Sequence, residues 1–147
     1  MKFRLIIDNT RDEEVVVTAH QRSRLTDQIE ELVRQDSGRR QIVAYRDDEL
    51  VLLSFDKIEC ITVENGKTCA IDISGKRYRL KQRLYEVEAL LPSFFVRINK
   101  SAIANEKRLE RFVATYSGGV NARFLCGYEE YVSRRCFAVI KRRFDSK

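Results

Sequence analysis

The chain has 147 residues, of which 44% are hydrophobic and 34% are charged, and its formal net charge is +6. This length and composition are typical of one well-cored globular domain, or of one domain plus a small appendage, and they exclude a disordered chain. No apolar run approaches the roughly 20 residues needed to span a bilayer, and the alternating N-terminus lacks the apolar core of a signal peptide, so we expect a cytoplasmic protein.

The first 40 residues predict a small β-β-α unit. Residues 2–7 alternate polar and apolar side chains and residues 14–18 form a β-branched run, and both patterns are typical of strands. Residues 23–36 predict a helix with one apolar face, which Gly38 ends. The apolar positions of this helix are Leu25, Ile29, Leu32 and Val33. A unit this small cannot hold itself together, so we expect it to dock on the rest of the chain or to dimerise.

From residue 41 onward, short strand patterns alternate with turn signals. Asn65-Gly66 suits the positive φ angles of a type I′ hairpin. One helix is predicted over residues 80–91, where Pro92 ends it, and another follows Ser133 as its N-cap. The predicted strands are 41–45, 50–55, 57–64, 67–73, 77–80, 94–98, 108–116 and 120–125. Residues 41–147 therefore predict a mostly antiparallel β domain with peripheral helices, in the α+β class.

No active or metal site is recognisable. The single histidine, His20, has no nucleophile pattern nearby, and residues 47–49 lack the Gly and distal Glu of a calcium loop. Four cysteines without a C-x-x-C spacing predict buried reduced thiols, and a contact between Cys60 and Cys69 across a hairpin is left open. We therefore predict no enzymatic activity, no catalytic residue, no cofactor, no metal ion and no small-molecule substrate.

The charge is unevenly distributed along the chain. Residues 1–40 contain eight basic and eight acidic side chains, whereas residues 41–147 contain 20 basic and 14 acidic side chains and carry the whole excess. The excess is concentrated in residues 76–83 and 134–147. This division predicts an anionic partner that meets the second part of the chain, although a solvated basic face would have the same charge.

The most informative segment is residues 94–105, with the sequence FFVRINKSAIAN. A short apolar run leads through Arg97 to Lys100 and Ser101, and a small-residue loop is predicted to follow until Asn105 closes it. A guanidinium, an ammonium, a hydroxyl and an amide can bind phosphates and read base edges. The segment contains no carboxylate, histidine or cysteine that could support catalysis.

This segment resembles the F-x-R-I-x-K-S-x-I-x-N core of the LytTR family of bacterial DNA-binding domains. The Val132-Ser133-Arg134-Arg135 sequence and the hairpin at residues 64–67 strengthen the resemblance, which covers roughly residues 41–145. It implies a β-rich fold whose loops enter successive major grooves of double-stranded DNA. LytTR domains usually follow a receiver domain, for which this chain is too short. It therefore resembles the stand-alone subgroup, in which a neighbouring membrane protein often regulates the DNA binder.

The resemblance implies roles for individual side chains in base readout. Asn105 matches the family's near-fixed Asn, whose amide can pair with adenine through two hydrogen bonds, although an Asn can also simply hold a turn. Arg134 and Arg135 match the basic pair before the last helix. One of the two is expected to reach a guanine or a phosphate, and the sequence does not decide which.

The remaining candidate contacts are expected to position the protein on the DNA backbone. Lys100 and Ser101 suit phosphate binding, and Lys67 matches a polar or basic residue at the family's hairpin tip. Ser133 caps a helix, contacts DNA, or does both. Arg97 suits either a phosphate contact or a structural salt bridge.

We therefore predict a transcriptional regulator that binds double-stranded DNA as a homodimer or on paired direct repeats. Phosphate anchoring by the basic half would accompany base readout, and the duplex would bend so that loops spaced along one face meet two grooves. The alternative is a protein-interaction module, in which the neutral β-β-α unit is the functional part and the basic half docks an acidic partner.

Overall fold

The computed structural model describes residues 1–36 and 40–145, in which three α-helices and ten β-strands are formed. In chain order these are α1 Arg24–Asp36, β1 Gln41–Arg46, β2 Glu49–Ser54, β3 Ile58–Glu64, β4 Lys67–Asp72, β5 Arg77–Arg79, α2 Leu84–Leu90, β6 Phe95–Asn99, β7 Ala102–Asn105, β8 Leu109–Ala114, β9 Val120–Phe124, β10 Glu129–Val132 and α3 Arg134–Asp145. The predicted class, mostly antiparallel β with peripheral helices, is confirmed. Within the described residues, no helix is long and apolar enough to cross a membrane.

The strands form two antiparallel sheets. The large sheet has seven strands in the order β2-β1-β5-β4-β3-β7-β6, and the small sheet has three in the order β10-β9-β8. One apolar core lies where α2 covers one face of the large sheet, and includes Ile61, Val87 and Ile103. A second core, which includes Phe124 and Ile140, fills the space between the opposite face, the small sheet and α3. Strands β3, β7 and β6 are therefore covered on both faces.

Strand β7 corrects the small-residue loop predicted between Ser101 and Asn105. Ala102, Ile103 and Ala104 are almost completely buried, since β7 lies between β3 and β6 in the sheet. A strand that is buried on both faces has no polar face, and the alternation that reveals most strands is then absent.

Helix α2 begins at Leu84, four residues later than the sequence predicted. Arg83 is extended, with ψ 160°, and its N–H donates to Glu86 Oε1 at 3.1 Å, so the chain becomes helical only after this cap. Leu80 is buried in the first core. Its position therefore fits the apolar spacing of α2, although Leu80 is not part of the helix.

Helix α1 confirms the predicted helix, but the two strands predicted before it are not formed. In the structure residues 2–7 and 14–18 belong to no sheet, and their side chains are exposed. Two short strands alone are marginally stable because neither a third strand nor a covering face supports them. The predicted stop at Gly38 lies outside the described residues.

The four cysteines are free thiols. Cys60 and Cys69 are buried on neighbouring strands, but the register pairs Cys60 with Ile71, so the two are not opposite each other. Burial is the main cause that raises the pKa of the Cys60 thiol. The predicted buried thiols are therefore found at these two positions, whereas Cys126 and Cys136 are only partly buried.

Candidate nucleic-acid interface

Three polar segments that are distant in sequence meet at one edge of the structure. The N–H of Val63 donates to the carbonyl of Ser101 at 3.0 Å, which brings the tip of the β3–β4 hairpin beside the β6–β7 turn. The N–H of Ser133 donates to the carbonyl of Ile98 at 2.9 Å, which brings the start of α3 beside the end of β6. We call the three segments together the loop edge: residues 65–67, 100–101 and 133–135.

The β3–β4 hairpin presents Lys67 at the loop edge. Asn65 and Gly66 both have positive φ angles, 52° and 74°, as the predicted type I′ turn requires. Lys67 is exposed opposite Glu64, and Glu64 forms an ion pair with Arg77 at 3.2 Å. Arg77 thus partly neutralises the Glu64 carboxylate, which lies beside Lys67. The Lys67 ammonium extends from the turn next to this paired carboxylate.

Asn99 holds the β6–β7 turn, and sequence reasoning missed it. Its Oδ1 accepts a hydrogen bond from the N–H of Ser101 at 2.7 Å, and its Nδ2 donates to the carbonyl of Tyr131 at 2.6 Å. The first bond is the local turn that Asn side chains favour. The second ties the turn to β10, and no local pattern in the sequence could have revealed it.

Arg97 also supports this turn. Its Nε donates to Glu88 Oε2 at 2.8 Å, and its Nη1 donates to the carbonyl of Lys100 at 2.9 Å. Of the two roles open from the sequence, the geometry therefore favours the structural salt bridge. The side chain of Lys100, at the tip of this turn, is exposed.

Helix α3 begins at the loop edge with two exposed arginines. The Oγ of Ser133 accepts a hydrogen bond from the N–H of Cys136 at 3.2 Å, which confirms the predicted N-cap. Arg134 and Arg135 follow in the first turn and are exposed. Phe137 then anchors the helix by packing on Phe112, with ring centroids 5.2 Å apart, so the arginines extend from a fixed support.

Asn105 lies away from the loop edge, which corrects the prediction that its amide faces outward. The residue is completely buried, at 0% exposure. Its Nδ2 donates to the carbonyl of Ile58 at 2.9 Å, and its Oδ1 accepts from the N–H of Lys107 at 2.9 Å. Strand β7 also carries it about 13 Å from Ser101 along the strand. The amide is therefore unavailable to a base and instead joins the turn that follows β7 to the start of β3.

A polar network joins the two sheets behind the loop edge. Glu130 Oε1 accepts hydrogen bonds from Tyr128 Oη and Thr62 Oγ1, both at 2.9 Å, and Glu130 Oε2 accepts from the N–H of Tyr131 at 3.0 Å. Burial is the main cause that raises the pKa of the Tyr128 phenol well above its ordinary value. The network links β3 to β10 and so fixes the start of α3 relative to the hairpin tip.

The Tyr128 shift predicts a loss of stability in alkali. Above about pH 10 the phenol ionises in the unfolded chain but stays neutral in the folded protein, so the free energy of unfolding should fall as the pH rises. Tyr128→Phe should flatten this fall in urea denaturation series, whereas the control Tyr116→Phe, at a fully exposed position, should not. An unchanged alkaline slope in Tyr128→Phe would contradict this effect of burial.

Exposed cations from separate segments on one edge are the electrostatic footprint of a nucleic-acid-binding domain, and the described residues contain no group of three metal-ligating side chains. Residues 48–145 match the family model described as the LytTr DNA-binding domain. The match covers more than half of the chain, so the protein belongs to this family, whose members are non-enzymatic DNA-binding regulators.

Relatives and a solved structure agree with this assignment. An "Uncharacterized HTH-type transcriptional regulator" of Staphylococcus aureus strain MSSA476 is 29% identical over 148 residues, with 99% of each chain covered. A protein of the same description from strain NCTC 8325 is 33% identical over 104 residues, covering 71% of this chain and 70% of its own. The LytTr DNA-binding domain of a putative methyl-accepting/DNA response regulator from Bacillus cereus has a TM-score of 0.64 at 20% identity, covering 71% of this chain and 96% of that one.

The term "HTH-type" in the names of these relatives does not match the helices of this chain. In the part of the chain that the structure describes, strands separate α1 from α2 and α2 from α3. No helix is thus followed directly by a second one, as a helix-turn-helix requires. The exposed cations of the loop edge lie on two hairpin turns and in the first turn of α3, which follows a strand and not another helix.

Proposed function

We propose that this protein is a sequence-specific transcriptional regulator that binds double-stranded DNA through the loop edge. The observation that carries the proposal is the convergence of exposed cations from two hairpin turns and the start of α3. These cations are Lys67, Lys100, Arg134 and Arg135. The LytTr family and the regulators to which the chain is similar support the same function. Residues 41–147, which hold both cores and the basic excess, would form the DNA-binding domain.

The position of the two arginines on α3 supports an anionic ligand. The N-terminus of a helix carries a partial positive charge, so cations in its first turn are normally unfavourable and anions favourable. Arg134 and Arg135 nevertheless occupy this turn, and α3 has its basic residues Arg142 and Arg143 in the last turn as well. A phosphate bound at the helix start would offset the repulsion and use the free backbone N–H groups.

We assign base readout to Arg134 or Arg135, and anchoring to the other polar groups of the loop edge. Guanidinium groups can form two hydrogen bonds with guanine, whereas hydroxyl groups such as those of Ser101 and Ser133 suit phosphates. Lys100, an exposed ammonium at the tip of the β6–β7 turn, is assigned to phosphate anchoring with them.

The spacing of the segments supports binding to successive grooves of a curved duplex by paired copies. Lys67 and the start of α3 flank the β6–β7 turn on opposite sides, so the three contacts follow one another along the edge. A straight duplex would not meet all three contacts of this row in full. Bending the duplex would bring two of its grooves within reach of the protein. Two copies, as a homodimer or side by side on direct repeats, would extend the contact further.

A fragment of residues 41–147 is expected to keep the DNA affinity of a single copy. Every residue of both cores lies between Ile42 and Ile140, and the neutral N-terminal part adds no net attraction to phosphates. Fluorescence anisotropy with duplex DNA from upstream of its own operon would measure affinity and salt slope for the fragment and the full chain. A folded fragment without affinity at low salt would contradict the proposed division of the chain.

A further inference from the structure

The N-terminal 36 residues expose an unusual amount of apolar side chain. Phe3 is 89% exposed and Ile7 85%, and Leu5 and Val15 follow at 70% and 59%. Helix α1 also exposes Leu32 at 65%. Exposed apolar side chains in this number are typical of an interaction surface, which points to a partner for this part of the chain.

The apolar side chains of this part follow the pattern of a sheet that lacks partners. Phe3, Leu5 and Ile7 occupy alternate positions of the first segment, and Val15 and Val17 occupy alternate positions of the second. In strands, each set would lie on one face of a sheet. The apolar side of α1 could cover that face, and two segments alone lack the third strand that would stabilise them.

Helix α1 is formed even though most of its apolar side is exposed: Leu25, Leu32 and Val33 are exposed and only Ile29 is half-buried. The Thr26 Oγ1 accepts a hydrogen bond from the N–H of Ser23 at 2.8 Å, and Glu30 forms an ion pair with Arg34 at 2.9 Å. Such local contacts start the helix and hold its polar side. The side with Leu25 and Leu32 is therefore already helical before any association. Less conformational entropy is then lost when a partner packs against it.

The charge balance and the size of the N-terminal part favour a second copy of this chain as the partner. Residues 1–40 have eight basic and eight acidic side chains, so two such units do not repel each other, and neither a strongly acidic nor a strongly basic partner is favoured. The remainder of the chain, with the whole +6 excess, would repel its own copy. Two N-terminal units together also provide about 80 residues and four strands, which is enough to form a small core.

The N-terminal part lies outside the DNA-binding domain that defines the family. The LytTr family match begins at residue 48, whereas the Staphylococcus aureus relative of strain MSSA476 is similar over 99% of both chains. The N-terminal part therefore accompanies the domain in a relative although the family model does not include it. An accessory part that is retained beside a complete domain fits a role in assembly.

We propose that residues 2–7 and 14–18 of two copies form one antiparallel sheet, covered on one face by the two α1 helices. The interface is two-fold symmetric, so each segment contacts the same surface of the other copy. It joins two DNA-binding domains while leaving both loop edges free. Its link to paired DNA sites rests on the proposed function, but the association itself does not.

Light scattering after size-exclusion chromatography, without DNA, tests this interface. The full chain should elute with twice its 17.3 kDa mass. Leu5→Lys should return it to one chain mass, because a lysine would enter the covered face. The matched control Ile6→Lys should stay dimeric, because residue 6 faces outward. Since Leu5 and Ile6 are 70% and 65% exposed, neither change disturbs the folded domain.

A monomeric full chain throughout a dilution series would overturn the proposal, and so would equal dissociation by the two lysines. Anisotropy titration with a duplex that holds one site separates this result from the DNA-binding function. Leu5→Lys should bind the single site like the parent and should lose only the tighter binding to paired sites. Normal single-site binding by a monomeric parent would refute the interface alone, whereas a dimer without DNA affinity would refute the proposed function alone.

Discussion

Replacing Asn105 with alanine is expected to lower the free energy of unfolding by about 2–4 kcal/mol, because it leaves the carbonyl of Ile58 and the N–H of Lys107 without their partner. Both groups form a hydrogen bond of 2.9 Å with the Asn105 amide, and Asn105 has no exposed surface. Urea denaturation followed by circular dichroism would measure the loss. The remaining folded protein should keep the parental base preference, since the loop edge does not include this side chain.

Lys100→Ala provides the control for Asn105→Ala. Lys100 is exposed at the tip of the turn, and surface changes of this kind typically alter stability by less than about 0.5 kcal/mol. We expect parental stability with weakened DNA binding, which is the opposite of the Asn105 result. If Asn105→Ala instead kept parental stability and lost only specific binding, the amide would be a base reader and its buried role would be wrong.

Removing Arg134 and Arg135 is expected to have the largest effect on DNA binding. A bidentate base contact contributes about 1–3 kcal/mol, and a phosphate contact contributes a slope of about 0.9 in log affinity against log salt. We expect at least one of the single alanine variants to change the preferred base at a fixed operator position. Binding-site selection and anisotropy at several salt concentrations would measure both quantities.

Arg142→Ala is the matched control for the two arginines. Arg142 lies in the last turn of the same helix, exposed and far from the loop edge, so it removes an equal charge without a proposed contact. It should leave base preference and most of the affinity unchanged. If both arginine variants kept the parental preference while Lys100→Ala altered it, Lys100 would be the reading residue and the arginines would be anchors.

The sequence by itself determined those features that depend on a few neighbouring residues. Asn65-Gly66 specified its turn because few residues tolerate two consecutive positive φ angles. Ser133 specified the start of α3 because a hydroxyl cap acts within three residues. The patterns of β1 to β4 predicted strands for the same reason, because they depend on neighbouring residues. The charge division between the two parts of the chain follows directly from the residue types.

The tertiary structure alone decided which polar groups face outward. The sequence did not predict strand β7, because β7 is buried on both faces and has no polar alternation. Its burial makes Asn105 a core residue, and not a base-reading residue, whose amide donates to the carbonyl of Ile58, 47 positions away. Glu130 and Thr62 likewise meet across 68 positions. Hydrogen bonds between distant segments leave no periodic trace in the chain, so the same amide or carboxylate can face solvent or the core until the sheets pack around it.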